Sequence, residues 1–408
     1  MHCRHCNTRL EHTLIDLGFA PPSNAYLKAS DLKCPETYYP LRVKVCHACW
    51  LVQTEDYAEV KALFSSDYAY FSSTSAYWLQ HAAQYAKAIT EQLKLDSESF
   101  VIEIASNDGY LLKNFVEFDI PCLGIEPTNN TADVAETFNI PVLREFFSES
   151  LARNLADQNK LADLIVCNNV YAHVPDINDF TRGLKVILKP QGSITIEFPH
   201  LLSLMYESQF DTIYHEHFSY LSLSIVCRIF KSVGLRIFDV EKISTHGGSL
   251  RVYGCHENDA RSTQERVTAT LLEEKNNGLN QLNTYQNFQA KAESIKYALL
   301  EFLIEQKKLG KRVVAYGAAA KGNTLLNFAG IKSDLLPYVF DATKAKQGKY
   351  MPGSHIPILP PEKLHDTDFD YVLILPWNFY DDIRYQYDSL NIQKQVKFVK
   401  AIPELTFL

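Results

Sequence analysis

The chain has 408 residues, 46% hydrophobic and 22% charged, an ordinary globular composition with enough length for two or three cores. Its 40 basic and 48 acidic residues leave a net charge of −8, which argues against broad nucleic-acid binding. No apolar run is long enough to span a membrane and the first residues carry no signal-peptide core, so a soluble, cytoplasmic protein is expected.

Of nine cysteines, five fall before residue 50. Cys3-x-x-Cys6 and Cys46-x-x-Cys49 each let two thiolates grip one ion from a tight turn. Together they complete a closed four-thiolate shell. A closed shell leaves no open position for a reacting ligand, so the expected zinc is structural. His2, His5, His47 and Cys34 stand close enough in sequence to compete as ligands. Pro21, Pro22, Pro35 and Pro40 suit an extended excursion between the two knuckles. The module is not strongly basic, so it is read as a prop for its neighbours. Tyr68 and Tyr70 alternate as on an extended segment, either covering a ligand or packing. A helix is expected from about residue 76 to 93.

Residues 100–105 form a short buried-strand pattern running into Ser106-Asn107-Asp108-Gly109 and a helix that begins Tyr110-Leu111-Leu112. Strand, tight polar loop and helix make the first half of a doubly wound α/β fold. The next strand, 122–125, ends in Glu126-Pro127, and a carboxylate at the tip of a second strand commonly takes ribose hydroxyls. Residues 164–167 are a further strand ending in Asn168-Asn169. Another, 193–198, follows the expected turn Lys189-Pro190-Gln191-Gly192. The loop is neither Gly-x-Gly-x-x-Gly nor a phosphate-binding Gly-Lys-Ser/Thr. Glu103-x-Ala105-x-Asn107-x-Gly109 instead resembles motif I of class I methyltransferases, an acid followed by Gly-x-Gly-x-Gly. Ala105 and Asn107 depart from the two leading glycines; both leave room, and Asn tolerates left-handed backbone angles.

Tyr214, His215, Glu216, His217 and Tyr220 crowd seven positions with groups that act as bases and hydrogen-bond donors near neutral pH. The bland alternative is a polar loop whose side chains satisfy one another. Strands 237–241 and 250–254 flank His246-Gly247-Gly248-Ser249, where paired glycines admit a substrate to the backbone or merely turn the chain. A long helix follows, with Tyr285, Phe288, Ala292, Ile295, Leu299 and Phe302 on one buried face. Strand 311–316 then runs into Gly317-Ala-Ala-Ala-Lys321-Gly322-Asn323-Thr324, small residues with one lysine at a helix start, which suits a phosphate. Strands 339–341 and 371–375 complete a second sheet, with Pro376-Trp377-Asn378 at a strand's C-terminal end, where ligands sit. The alternative is a sheet used only for packing.

In this order the two cysteine pairs, Tyr-Ala-Tyr-Phe-Ser-Ser, Glu-Ile-Ala-Ser-Asn-Asp-Gly-Tyr-Leu-Leu, Asn169-Val-Tyr-Ala-His173, Tyr-His-Glu-His-Phe-Ser-Tyr, His246-Gly-Gly-Ser-Leu-Arg and Tyr316-Gly-Ala-Ala-Ala-Lys-Gly-Asn span nearly the whole chain. The set resembles the nucleotide-sugar C-methyltransferases that act at C3 of dTDP-4-keto-6-deoxysugars. The resemblance implies a zinc-binding module over 1–75, an S-adenosylmethionine (SAM) domain over 76–255, and a second Rossmann-like α/β domain over 256–408 that binds the sugar nucleotide. It implies structural zinc on Cys3, Cys6, Cys46 and Cys49. Cofactor contacts carry over to Glu103, Ala105, Ser106, Asn107, Asp108, Gly109, Tyr110, Leu111, Glu126, Pro127, Asn168 and Asn169, with Phe146 near the adenine and Tyr70 over the site. Tyr214, Glu216 and His217 match the catalytic cluster, and His173 looks like another active-site position. Tyr214, His246, Gly247, Gly248, Lys321, Asn323, Thr324, Asp341, Trp377 and Asn378 are expected against the substrate. His217, or Tyr214, would take the C3 proton acidified by the C4 ketone, and the enolate carbon would take the methyl. A monomer acting on a small nucleotide sugar, without nucleic acid or membrane, is expected. The competing classes are an RNA or protein methyltransferase that uses the zinc module to hold its substrate, and a non-enzymatic sugar-nucleotide binder with a relic cofactor site.

Overall fold

A computed structural model describes residues 1–57, 71–74, 76–392, 394 and 396–408; Tyr68 and Tyr70 lie outside the described residues. Between the cysteine pairs, β1 (His12–Ala20) and β2 (Tyr39–Val45) pair antiparallel, and β3 (Val52–Thr54) joins β2 beyond the second knuckle. Along β2, buried Leu41, Val43 and Val45 alternate with the half-exposed Arg42 and Lys44, as in a strand with one covered face.

The expected helix runs over Ala76–Leu93. After it, β4 (Val101–Ile104), β5 (Cys122–Ile125), β6 (Val142–Leu143), β7 (Ala162–Asn168) and β8 (Leu188–Pro199) are parallel. The short β9 (Ser219–Tyr220) leaves this sheet and pairs with β3. The chain then returns as the antiparallel pair β10 (Leu235–Ile243) and β11 (Ser249–His256), giving the order β10-β11-β8-β7-β4-β5-β6. Residues 189–192, expected as a turn, lie inside β8. Pairing jumps from Ala162↔Leu188 to Leu164↔Ser193, so Pro190 and Gly192 are absorbed in an irregularity where a missing N–H and side chain are tolerated.

The long helix is broken at Asn287 into Leu282–Gln286 and Phe288–Lys308, with the expected face buried. Then β12 (Val313–Tyr316), β13 (Val339–Phe340), β14 (Ile358–Leu359), β15 (Tyr371–Ile374) and β16 (Lys397–Lys400) run parallel, and β17 (Thr406–Phe407) closes the edge antiparallel. The order is β14-β13-β12-β15-β16-β17. Every residue of β4, β12 and β15 is buried, as parallel strands covered on both faces require.

The N-terminal module wedges between the two large sheets. Leu14, Val43 and Val52 share a core with Leu299, Val339 and Leu373, while Cys3, Cys46 and Leu51 pack with Ile165 and Phe230 of the central region. In the central sheet the chain runs outward from β4 to β6 and returns at β7; in the C-terminal sheet it runs from β12 to β14 and returns at β15. Each reversal opens a crevice at the carboxyl ends of the strands, where ligands sit in open α/β sheets.

Candidate active site

Both crevices open on one cavity of about 610 Å³. Ala105, Asn107, Asn168 and Asn169 line it from the central sheet, Ala319, Lys321 and Asn378 from the C-terminal sheet, and Tyr214, Glu216 and His217 lie between.

The loop after β4 is held in left-handed backbone conformations at Ala105 (φ 59°), Asn107 (φ 50°) and Gly109 (φ 76°). Gly109 suits this position, because its φ is positive and a Cβ there would meet Ile140 Cδ1 at 2.5 Å and Ala135 Cα at 3.1 Å. Glu126 ties this loop to the next: its carboxylate accepts from Asn107 N–H at 2.9 Å, from Thr128 N–H at 2.9 Å and from the Thr128 hydroxyl. Ser72 N–H and Ser73 N–H donate to Asn107 Oδ1 (2.9 Å) and Asp108 Oδ2 (3.0 Å), so the described residues ahead of the first helix dock on the same loop. Glu103 is buried beneath; burial, with Asp108 and Glu126 nearby, pushes its carboxyl well above the usual range.

His217 lies in the middle. Its Nδ1 is 2.8 Å from the Thr212 carbonyl oxygen. A carbonyl only accepts, so the proton sits on Nδ1 and Nε2 keeps its lone pair. The Thr54 hydroxyl binds the His217 carbonyl and fixes the backbone. The rings of Tyr214 and His173 stand 3.9 and 4.6 Å from His217, centroid to centroid. Burial holds His217 neutral, well below the ordinary histidine range, reinforced by His173, His246 and Lys321. Burial also brings His173 and His246 down to about 4. The Glu216 carboxyl moves the other way, up to about 7, although Asn24 Nδ2 donates to both its oxygens at 3.1 and 3.0 Å. His215 turns aside, with Nε2 3.3 Å from the Pro40 carbonyl and its ring edge on Tyr39.

At the C-terminal end, Lys321 starts the helix Ala320–Ala329 and donates to Asn378 Oδ1 at 2.8 Å. Its ammonium lies 4.6 Å over the Trp377 ring, and Trp377 Nε1 donates to Asp211 Oδ2 at 2.8 Å. Burial brings Lys321 down to about 8 and lifts Asp211 to about 6.

Three family matches tile the sequence: a zinc binding domain over residues 3–64, a methyltransferase domain over 77–240 and a C-methyltransferase C-terminal domain over 244–403. Across 402 residues the chain is 32% identical to C-methyltransferase NovU of Streptomyces niveus, covering 98% of this chain and 95% of that protein. The chain belongs to this C-methyltransferase family. Among solved structures, a SAM-dependent methyltransferase from Anabaena variabilis has TM-score 0.36 at 13% identity, covering 43% of this chain and 84% of that one. Magnesium protoporphyrin IX methyltransferase from Synechocystis has TM-score 0.35 at 12% identity, covering 44% and 82%.

The enzyme is a SAM-dependent C-methyltransferase, and its residues fit both expected groups. Asn168 Oδ1 and Asn169 Oδ1 are buried acceptors on the cavity wall without a hydrogen-bond partner among the described residues, suited to the ammonium and hydroxyls of SAM. The thiols of Cys3, Cys6, Cys46 and Cys49 lie within 4.8 Å of one another, with Cys3–Cys49 and Cys6–Cys46 at 3.5 Å. A tetrahedron with zinc–sulfur arms of about 2.3 Å has edges near that size. Among the described residues the metal-ligand group is the four cysteines alone, and His5 Nδ1 is 2.8 Å from Asn178 Oδ1 instead.

The cavity gathers Tyr110, Pro127, Phe146, His173 and His246 with the residues named above. Other expected contacts do not reach it. Glu103, Ser106, Asp108, Gly109 and Leu111 support the cofactor loop from behind, as buried or close-packed positions. Gly247 and Gly248 turn the chain and admit neighbours, since a Cβ on Gly247 would strike Trp377 and one on Gly248 would strike Ser203. Trp377 packs against Gly247, is held by Asp211 and is not among the residues that line the cavity. Asn323 Nδ2 and the Thr324 hydroxyl donate to the Ser23 and Ile213 carbonyls, at 2.6 and 2.8 Å. Asp341 accepts from Ala318 N–H and Thr343 N–H, both at 2.7 Å. Asn24, Trp78 and Lys346 line the cavity and were missed, because no motif surrounds them in the sequence.

Proposed function

We propose that the enzyme methylates a carbon beside the ketone of a nucleotide-linked deoxysugar, C3 of a dTDP-4-keto sugar. One observation carries this reading: a neutral, tautomer-fixed imidazole lies in a single cavity between a methyltransferase cofactor loop and a lysine-bearing helix start. SAM, when bound, supplies the electrophilic methyl group. The protein's own work is to take a proton from carbon, hold the charge left behind and fix the geometry.

A ketone at C4 acidifies the hydrogen on C3. His217 Nε2 takes that proton while the C–H electron pair stays on the sugar as an enolate. The new imidazolium keeps its Nδ1–H on the Thr212 carbonyl. Tyr214 is the donor for the enolate oxygen, and Glu216 and His173 complete the acid–base set around it. Burial makes His217 ready to accept but a weak base, and the charge of Lys321 weakens it further. An anionic diphosphate drawn to Lys321 offsets that charge, so substrate binding strengthens the base. Lys321 stands at the positive end of its helix among small residues, which suits a diphosphate. Glu126 and Asn169 hold the ribose and amino ends of SAM. In this division residues 1–75 are scaffold, 76–255 hold SAM and 256–408 hold the sugar nucleotide, and the enzyme acts as a monomer.

Mass spectrometry of a dTDP-4-keto-6-deoxysugar panel with SAM in deuterated buffer tests the reading. The expected product gains one methyl on the carbon beside the ketone and loses that carbon's exchangeable hydrogen. The absence of both exchange and methylation across the panel would overturn it.

A further inference from the structure

Asn24 lies far from every motif, yet its amide meets a buried acid of the reacting centre. Its Nδ2 is 3.1 and 3.0 Å from Oε1 and Oε2 of Glu216, and both residues line the cavity. An ionised carboxylate only accepts, so the amide nitrogen must face it. The segment carrying Asn24 leaves β1 through Pro21-Pro22 and is fixed on both sides. The Ser23 carbonyl accepts from Asn323 Nδ2 at 2.6 Å, and the Tyr26 hydroxyl donates to the Ala318 carbonyl at 2.6 Å. The next residue of the same helix, Thr324, donates to the Ile213 carbonyl at 2.8 Å, immediately before the loop that carries Glu216. The helix Ala320–Ala329 therefore grips the two segments together and sets the distance between Asn24 and Glu216.

We infer that Asn24, supplied from the zinc-binding region, is a positioning residue for Glu216, holding its carboxyl group toward the cavity during turnover. The inference rests on Glu216 belonging to the reacting centre proposed above. An amide suits the task because it serves both protonation states: its nitrogen donates to a carboxylate, and its oxygen, after rotation about the side-chain bond, accepts from a carboxylic acid. An aspartate in its place would repel the carboxylate. The other titratable groups near Glu216 are Tyr26 from the same segment, with Lys346 over its ring, His173 against the Glu216 backbone, and Tyr214, His217 and Lys321 in the lining of the same cavity.

The test compares full-length, zinc-loaded wild type with Asn24→Ala and Asn24→Asp. Infrared titration of protein labelled with 13C-glutamate, with Glu216→Gln as the subtraction, reports the Glu216 carboxyl without any substrate. Donors favour the charged form, so their loss should raise the Glu216 midpoint by about one unit in Asn24→Ala, and further in Asn24→Asp, where a like charge faces it. The acid limb of the kcat/KM profile should move with it, and kcat should fall about tenfold, while SAM affinity and zinc content stay at wild-type values. A Glu216 midpoint unchanged in both variants overturns the inference. If Asn24→Ala loses zinc or unfolds, the isosteric Asn24→Asp decides alone. If the wild type turns over no sugar nucleotide, the functional reading fails, and the infrared titration still decides the role of Asn24.

Discussion

Glu126 and Asp341 occupy equivalent places in two different sheets. Each follows the second strand of an outward run, β5 in one sheet and β13 in the other. Each accepts an N–H from the loop after the first strand, Asn107 at 2.9 Å or Ala318 at 2.7 Å. Each also accepts an N–H from two residues on, Thr128 at 2.9 Å or Thr343 at 2.7 Å. The difference lies in what covers them. Glu126 lines the cavity, whereas Asp341 does not. Over Asp341, Lys346 approaches to 3.9 Å and donates to the Ala318 carbonyl, which the Tyr26 hydroxyl also binds. The two crevices thus share a strand order and differ in the side chains that cover them. The second sheet instead lends its lysine-bearing helix start to the site of the first.

The largest expected effect separates the chemistry from both crevices. His217→Asn keeps a polar side chain of smaller volume but loses the basic nitrogen, and a positioned general base contributes about 10²- to 10⁴-fold. Single-turnover methyl transfer should slow by that factor, with SAM affinity by calorimetry unchanged; wild-type turnover would remove His217 from the mechanism. Next comes a crossed pair. Glu126→Ala should weaken SAM about 10- to 100-fold and leave the acceptor KM near wild type, because it loses charge-assisted bonds that hold the cofactor loop. Lys321→Met should do the reverse, raising acceptor KM by a similar factor with SAM binding intact. If both variants lost the same ligand, the division of labour between the sheets would be wrong.

Much of this was legible in the sequence, for reasons that also explain what was not. The strand at Cys122–Ile125 and the helix Ala76–Leu93 follow from local patterns of apolar residues. The four cysteines were legible because ligand spacing within a knuckle is a local property. The Tyr214, Glu216 and His217 cluster was legible as chemistry. The residue types alone could not tell His215 from His217, which only the family motif separated; the distant Pro40 carbonyl and Tyr39 ring draw His215 away. Trp377 was expected against the substrate, and only Asp211, 166 positions away, shows that its N–H is already used. Asn24 meets Glu216 across 192 positions through the helix Ala320–Ala329, and no local signal encodes such a meeting.

A smaller effect tests the charge at the C-terminal end. Lys321 is brought down to about 8 by burial, so its ammonium is present below that pH and lost above it. Acceptor KM should therefore stay flat up to about pH 7.5 and rise about tenfold by pH 9, one unit above the midpoint. SAM affinity should show no matching rise. Lys321→Arg should flatten the profile, because a guanidinium stays charged throughout. An unchanged slope in that variant would assign the pH dependence to another group.

The least effect on catalysis should come from the acid that most resembles a cofactor ligand. Asp341→Ala removes the acceptor for Ala318 N–H, which is buried, and for Thr343 N–H. Leaving a buried donor unpaired costs about 1–3 kcal/mol, so the thermal midpoint should fall measurably. SAM affinity should not move, and acceptor KM should change only a few-fold through the neighbouring Lys321. Glu126→Ala in the equivalent place should lose SAM instead. The two substitutions delete corresponding pairs of backbone hydrogen bonds, Glu126→Ala losing the Thr128 hydroxyl bond and Asp341→Ala the Lys346 contact as well, so the difference in ligand affinity between them tests the effect of the cover formed by Tyr26 and Lys346. If Asp341→Ala weakened SAM as much as Glu126→Ala did, the cover would not be what distinguishes the sheets, and the C-terminal crevice would have to be counted as part of the cofactor site.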